Sequence, residues 1–198
     1  MRLPAEQRRQ QLLDVACDVF AERGFSATAM DDIAVAAGVT KPVLYQHFKS
    51  KRALYLELLD SVGEQLLAAL RRATTSATSG RARVEAGFGA YYRFVMLNPN
   101  AFRLLFGASV RNNAEFGAII DRFVDEVSNT ITNLIEIDVP PEQRRVLAHA
   151  LVGMAEATSR RALATADAEG RVPDVAEADN LAHWLAEMAW FGLRGVRA

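Results

Sequence analysis

Cysteine is nearly missing from this chain: Cys17 stands alone among 198 residues, which excludes an intrachain disulfide and a metal centre built on thiolates. Long apolar runs are missing too. The longest uncharged one, Val146 to Ala155, stops at Glu156, about half of the ~20 residues that a helix needs to span a bilayer. No secretory leader is expected, because Asp14 and Asp18 interrupt the apolar residues of the first helical stretch. Strand signals are absent: there is no alternation of useful length and no Asn-Gly or Asp-Gly pair. Nor does the chain contain a Walker A loop, a Gly-x-Ser-x-Gly turn or a His-Glu-x-x-His pair. A membrane partner, a cofactor, a metal and an enzymatic activity are therefore not expected, and the default location is the cytoplasm. Cys17 falls at the buried boundary of the first helix, where a thiol is ordinarily inert. His149 and His183 read as surface histidines rather than ligands.

What is present is 51% apolar residues, enough for a substantial core, and an all-α pattern in which apolar residues recur at three and four. About nine helices are expected. The first runs from Ala5 to Arg23 and ends at Gly24. Thr28-Ala29-Met30-Asp31 has the spacing of a capping box, so Thr28 is expected to open a second, short helix. Thr40 caps a third, from Lys41 to about Phe48, with Pro42 where a missing N–H costs little. Ser50 caps a fourth, Lys51 to about Arg72, and Ala73 to Gly80 reads as a linker. Five further helices follow: Arg81–Leu97, a short one to Phe106, about Asn113–Ile137, Pro141 to about Ala166, and one opened by Asp174 that runs to about Gly195. The expected architecture is a small three-helix head on a C-terminal helical bundle. Residues 1–50 form the head, 51–198 the bundle part, and helix 51–72 joins them.

Net charge is −1, yet Ile33 to Leu56 holds Lys41, Lys49, Lys51 and Arg52 without an acid. This local patch of four positive charges suits a polyanion. Two short helices joined by a glycine-containing turn form a helix-turn-helix, whose second helix enters the DNA major groove. Val39 and Leu44 hold that helix inward and Phe48 closes its end. The other face offers Lys41, Val43, Tyr45, Gln46 and His47, a mixture of cation, donor, acceptor and apolar tip suited to phosphates and base edges. Three helix N-termini, at Thr28, Thr40 and Ser50, each present free N–H groups to an anion. A lysine in a first turn opposes the helix dipole by ~0.3–1 kcal/mol, so the expected partner of Lys51 is an external anion.

The run FSATAMDDIAVAAGVTKPVLYQHFKSK, Phe25 to Lys51, resembles the DNA-binding head of the TetR family of bacterial transcriptional repressors. The resemblance implies that Thr28, Tyr45, His47 and Lys51 grip phosphates, and that Thr40, Lys41, Pro42 and Val43 stand where the recognition helix begins, with Gln46 on its exposed face. Pro42 departs from the small residue common there and removes a backbone donor. The family further implies a homodimer on double-stranded, palindromic operator DNA, its heads roughly 34–36 Å apart, and release when a small-molecule effector changes that spacing. On this reading Tyr45→Ala and Lys51→Ala each weaken DNA binding with the dimer intact, and loss of Lys51 flattens the salt slope by about one unit.

In the bundle, Phe88, Tyr92, Val95, Phe102, Phe106, Phe116, Ile120, Phe123 and Met154 fit either a packed core or the lining of an elongated apolar cavity. Ala150, Gly153 and Ala157 on one helix and Leu181, Leu185 and Met188 on another fit a four-helix seam between two copies. Trp184 and Trp190 are seam anchors or core. Arg2-Leu3-Pro4 with Arg8-Arg9, the run Lys41 to Phe48, and Leu151-Val152-Gly153-Met154 are similar to actinobacterial TetR-type regulators of fatty-acid metabolism, which implies an acyl-CoA effector. The readings left open are activation of lipid-metabolism genes instead of repression, and DNA binding without any effector.

Overall fold

The structure, a computed structural model, describes residues 4–107, 110, 112–134 and 138–195. Among them are nine helices and no strand: α1 (Ala5–Ala27), α2 (Met30–Ala36), α3 (Lys41–His47), α4 (Lys51–Thr75), α5 (Gly80–Leu97), α6 (Pro99–Phe106), α7 (Ala114–Leu134), α8 (Pro141–Ala168) and α9 (Val175–Gly195). No helix among the described residues is long and apolar enough to cross a membrane. The all-α expectation holds. The helix breaks at Gly24 as expected, but a further turn carries α1 on to Ala27; α2 opens at Met30 and not at Thr28, and α4 runs to Thr75, which shortens the expected linker. Ile137, the expected end of the seventh helix, lies outside the described residues.

The chain folds into two compact units, Met1–Gly63 with Asn100–Ile120, and Glu64–Pro99 with Asp121–Ala198. In the first, α1 buries Leu12, Leu13, Ala16 and Phe20. The helix breaks at Gly24, whose φ of 75° and ψ of 164° belong to a region that essentially only glycine occupies. That bend swings Phe25 onto Tyr55 of α4, with ring centroids 4.9 Å apart. Phe116 of α7 then stacks on both, 4.9 Å from Phe25 and 4.7 Å from Tyr55. α6 is almost wholly sunk, with Ala101, Phe102, Leu104, Leu105 and Phe106 all buried. Asn113 caps α7, its side-chain oxygen accepting from the Glu115 and Phe116 amides at 3.0 and 3.2 Å.

In the second unit, α9 lays Ala178, Ala182, Ala186 and Ala189 against α5. Small side chains at this spacing let two helix axes approach closely. The pairs Arg93–Asp179 and Arg81–Glu187 flank the contact. Tyr92 of α5 hydrogen-bonds Thr158 of α8. Asp174 caps α9 as the spacing predicts, accepting from the Glu177 amide at 2.8 Å.

Candidate nucleic-acid interface

The third helix is short, and three anchors orient it, two of them buried. Leu44 is 0% exposed and Phe48 2% exposed, which turns the opposite face outward. Lys41, Pro42, Tyr45 and Gln46 are exposed there, while Val43 and His47 are half-buried. The third anchor is Arg9 of α1, which enters the sequence analysis only through the family resemblance and not as an anchor. Its guanidinium donates to the His47 carbonyl at 2.6 Å and to the Glu57 carboxylate at 2.8 Å, and lies 4.4 Å from the centre of the Phe48 ring. One residue thus ties the end of α3 to α1 and α4. No short motif encodes it, because its partners lie 38 and 48 positions away.

The N-terminal side of α3 borders an open depression of about 410 Å³ lined by Ser26 to Asp31, Lys41, Tyr45 and Lys51. It gathers Thr28, Tyr45 and Lys51, expected to grip phosphates, with Lys41 from the start of the recognition helix. Thr28 and Lys51 have bonding partners within the chain that the sequence did not predict. Thr28 does not open α2: it is 2% exposed, and its hydroxyl donates to the Gly24 carbonyl at 2.8 Å. It closes the bend after α1, and the capping box slips by one residue, with Asp32 accepting from the Ala29 amide at 2.8 Å. Thr40 stands at the N-cap of α3 with no hydrogen bond from its side chain to the helix. Ser50 caps α4 as expected, accepting from the Ala53 amide at 3.0 Å.

The ammonium of Lys51 is answered from within the chain. It donates to the carbonyls of Thr28 at 2.7 Å and Phe25 at 2.8 Å, and sits 4.5 Å from the centre of the Phe25 ring. Both carbonyls lie at the C-terminal end of α1, where a cation complements the helix dipole. Nor is the N-terminus of α2 open to an anion, since Asp31 and Asp32 occupy its first turn. Lys41 faces Asp31 at 2.9 Å, and that carboxylate holds the ammonium above its ordinary pKa.

The remaining expected sites fall in both units. Phe102, Phe106, Phe116 and Ile120 belong to the first, and Phe116 is committed to Phe25 and Tyr55. Phe88, Tyr92, Val95, Phe123 and Met154 belong to the second; all but the half-buried Met154 are buried, and the Phe88 and Tyr92 rings stack at 6.2 Å. Of the seam residues, Ala150, Gly153, Ala157 and Met188 are exposed. Leu181 is half-buried and Leu185 buried, so Leu185 packs within its own chain. Val146 of α8 and Trp184 and Phe191 of α9 are each more than 60% exposed. Trp190 is half-buried. His149 Nδ1 donates to the Arg145 carbonyl, 3.0 Å away. Burial and the neighbouring Asp18 and Asp14 push the Cys17 thiol up to about 12. No cluster of metal-ligating side chains occurs among the described residues.

Two family profiles match the chain: residues 12–58 fit "Bacterial regulatory proteins, tetR family", and residues 80–192 fit "Tetracyclin repressor-like, C-terminal domain". The chain is 35% identical over 161 residues to the HTH-type transcriptional activator FasR of Mycolicibacterium smegmatis, a match covering 80% of this chain and 74% of that one. It is 43% identical over 79 residues to the HTH-type transcriptional repressor KstR2 of Rhodococcus jostii, covering 40% of this chain and 39% of that one. Among solved structures, a TetR-like transcriptional regulator from Rhodococcus sp. RHA1 superposes with a TM-score of 0.78 at 30% identity, covering 98% of this chain and 100% of that one. The regulator FadR from Bacillus subtilis in complex with stearoyl-CoA shares the fold, with a TM-score of 0.75 at 16% identity, covering 95% and 99%.

Proposed function

Because the chain belongs to the TetR family of bacterial transcriptional regulators, we propose that it binds palindromic operator DNA as a homodimer and acts in the cytoplasm as an effector-controlled repressor. The observation that carries this is the outward face of α3. Leu44 and Phe48 are buried beneath it, so Lys41, Pro42, Tyr45 and Gln46 stand where a duplex can meet them. Residues 1–50 do the DNA binding. Thr40, Val43 and His47 complete the contact surface, while Thr28 and Lys51 shape the wall beside it. Residues 51–198 dimerise and hold the effector. A second copy covers the exposed face formed by Val146, Ala150, Gly153 and Ala157 of α8 with Trp184, Met188 and Phe191 of α9, an apolar stripe of the kind that isologous helix pairs bury.

The effector is an apolar or amphipathic small molecule, with acyl-CoA the first class to test. Phe88, Tyr92, Val95, Phe123 and Met154 of the second unit are the side chains that favour it. Phe102, Phe106 and Ile120 are secondary candidates, and Phe116 is set aside for its place among Phe25 and Tyr55. One observation favours a second reading, activation: the match to the activator FasR extends over 161 residues, that to the repressor KstR2 over 79.

Selecting genomic fragments with the purified protein tests the function. Recovery of a two-fold symmetric site is the expected result, and no enrichment over random fragments overturns the reading. A reporter driven from that site gives the sign of regulation. Thermal stabilisation by acyl-CoAs of graded length tests the effector, and no shift with any length removes it.

A further inference from the structure

The recognition helix begins on a lysine whose charge is already spoken for. Both carboxylate oxygens of Asp31 lie within reach of the Lys41 ammonium, at 2.9 and 3.1 Å. The pair spans from the first turn of α2 to the first residue of α3 and lines the depression beside Tyr45. Both side chains are more than half exposed, 61% for Asp31 and 56% for Lys41, so the pair is screened by water and opens easily. Its neighbours leave Asp31 no other cation among the groups lining the depression. Lys51 is held by carbonyls of Phe25 and Thr28, and Arg23 is turned to Asp32 at 3.3 Å.

We propose that Asp31 is a specificity-determining residue that acts through Lys41: the ion pair competes with phosphates for the lysine, and a phosphate displaces Asp31 most readily when the rest of α3 is seated in its proper register. This inference rests on the DNA-binding reading above. A lysine still paired releases no counterion when it nears a duplex, so it adds little to sequence-independent affinity. The carboxylate itself repels the polyanion. On an operator, base contacts made farther along α3 bring the backbone close enough for a phosphate to replace Asp31 as the partner of Lys41. On random DNA nothing compensates the exchange. The pair thereby taxes the wrong complex more than the right one, which is how discrimination is built from a repulsive element.

The test is Asp31→Asn, measured with full-length protein on the selected operator and on a scrambled duplex of equal length, over about 50 to 200 mM salt. Asparagine keeps the shape and removes the charge. The expected result is a three- to tenfold tighter hold on the scrambled duplex, a slope of log affinity against log salt steeper by about one unit, and a smaller gain on the operator. Asp31→Glu keeps the charge and is expected to retain the wild-type discrimination. In a Lys41→Gln background, Asp31→Asn is expected to leave the salt slope unchanged. Unchanged affinity and slope on the scrambled duplex overturn the proposal, as do equal gains on both duplexes or the same slope change without Lys41. If the wild-type protein binds neither duplex, the DNA-binding reading itself has failed, a result distinct from each of these.

Discussion

At the scale of single residues, the charges and hydroxyls flanking the recognition helix answer one another before any ligand arrives. Lys51 is the clearest case. Helix-dipole reasoning assigns it an external anion, yet its donors go to the carbonyls of Phe25 and Thr28 at the end of α1. Lys51→Ala is therefore expected to destabilise the protein by about 1–3 kcal/mol, the range for hydrogen bonds to a charged group. The salt slope of DNA binding is expected to stay at its wild-type value instead of flattening. Urea unfolding and a salt titration check the two halves. Cys17 makes a prediction of opposite kind. Its thiol is raised to about 12 by burial and by Asp18 and Asp14, so the folded chain keeps a proton that the unfolded chain loses near pH 9. Its contribution to stability is thus intact below about pH 9 and is lost as pH rises towards 12. Cys17→Ser is expected to flatten that alkaline decline, and a native thiol that reacts at pH 8 as fast as the unfolded one would count against the assignment.

At the scale of elements, the head is a set of short helices that cannot stand alone. α2 and α3 have seven residues each, well below the length at which an isolated helix is stable in water. Their positions are set by Leu44, Phe48 and Arg9, and by the glycine that turns α1 back. Gly24→Ala forces a side chain into a backbone region costing about 1–3 kcal/mol. It is expected to lower the unfolding midpoint and to weaken operator binding, because Thr28, Phe25 and the cap offered by Lys51 all depend on that bend. Equal stability of the variant in urea would show that α1 can end without it. The glycine itself was legible in the sequence as a helix stop. The one-residue shift of the capping box was not. Thr28-x-x-Asp31 and Ala29-x-x-Asp32 offer rival carboxylates one position apart, and the competing bond from the Thr28 hydroxyl to the Gly24 carbonyl decides between them.

At the scale of the whole molecule, the exposed apolar side chains of α8 and α9 form the proposed dimer seam. Met188 and Phe191, 55% and 63% exposed, stand at its centre in the proposed dimer. Replacing both with glutamate is expected to yield a folded monomer by light scattering, with operator affinity reduced at least a hundredfold, since two linked heads bind far more tightly than one. A dimer that survives the double substitution would move the interface elsewhere. The outward positions of Gly153 and Ala157 were readable from periodicity. Leu185 was not, because the same 3.6-residue repeat serves two apolar faces on α9, and only the packing of Ala182, Ala186 and Ala189 on α5 says which face turns inward.

The sequence by itself determined the helical class, the places where most helices begin and end, and the family of the head, because these follow from local periodicity, caps and a contiguous motif. Tertiary structure alone decided which polar groups of the head are already bonded. Lys51 and Arg9 find their acceptors 23 to 48 residues away, and Lys41 finds Asp31 ten positions back, across the turn between α2 and α3. A side chain's availability depends on what the fold brings beside it, and no pattern of neighbours along the chain carries that.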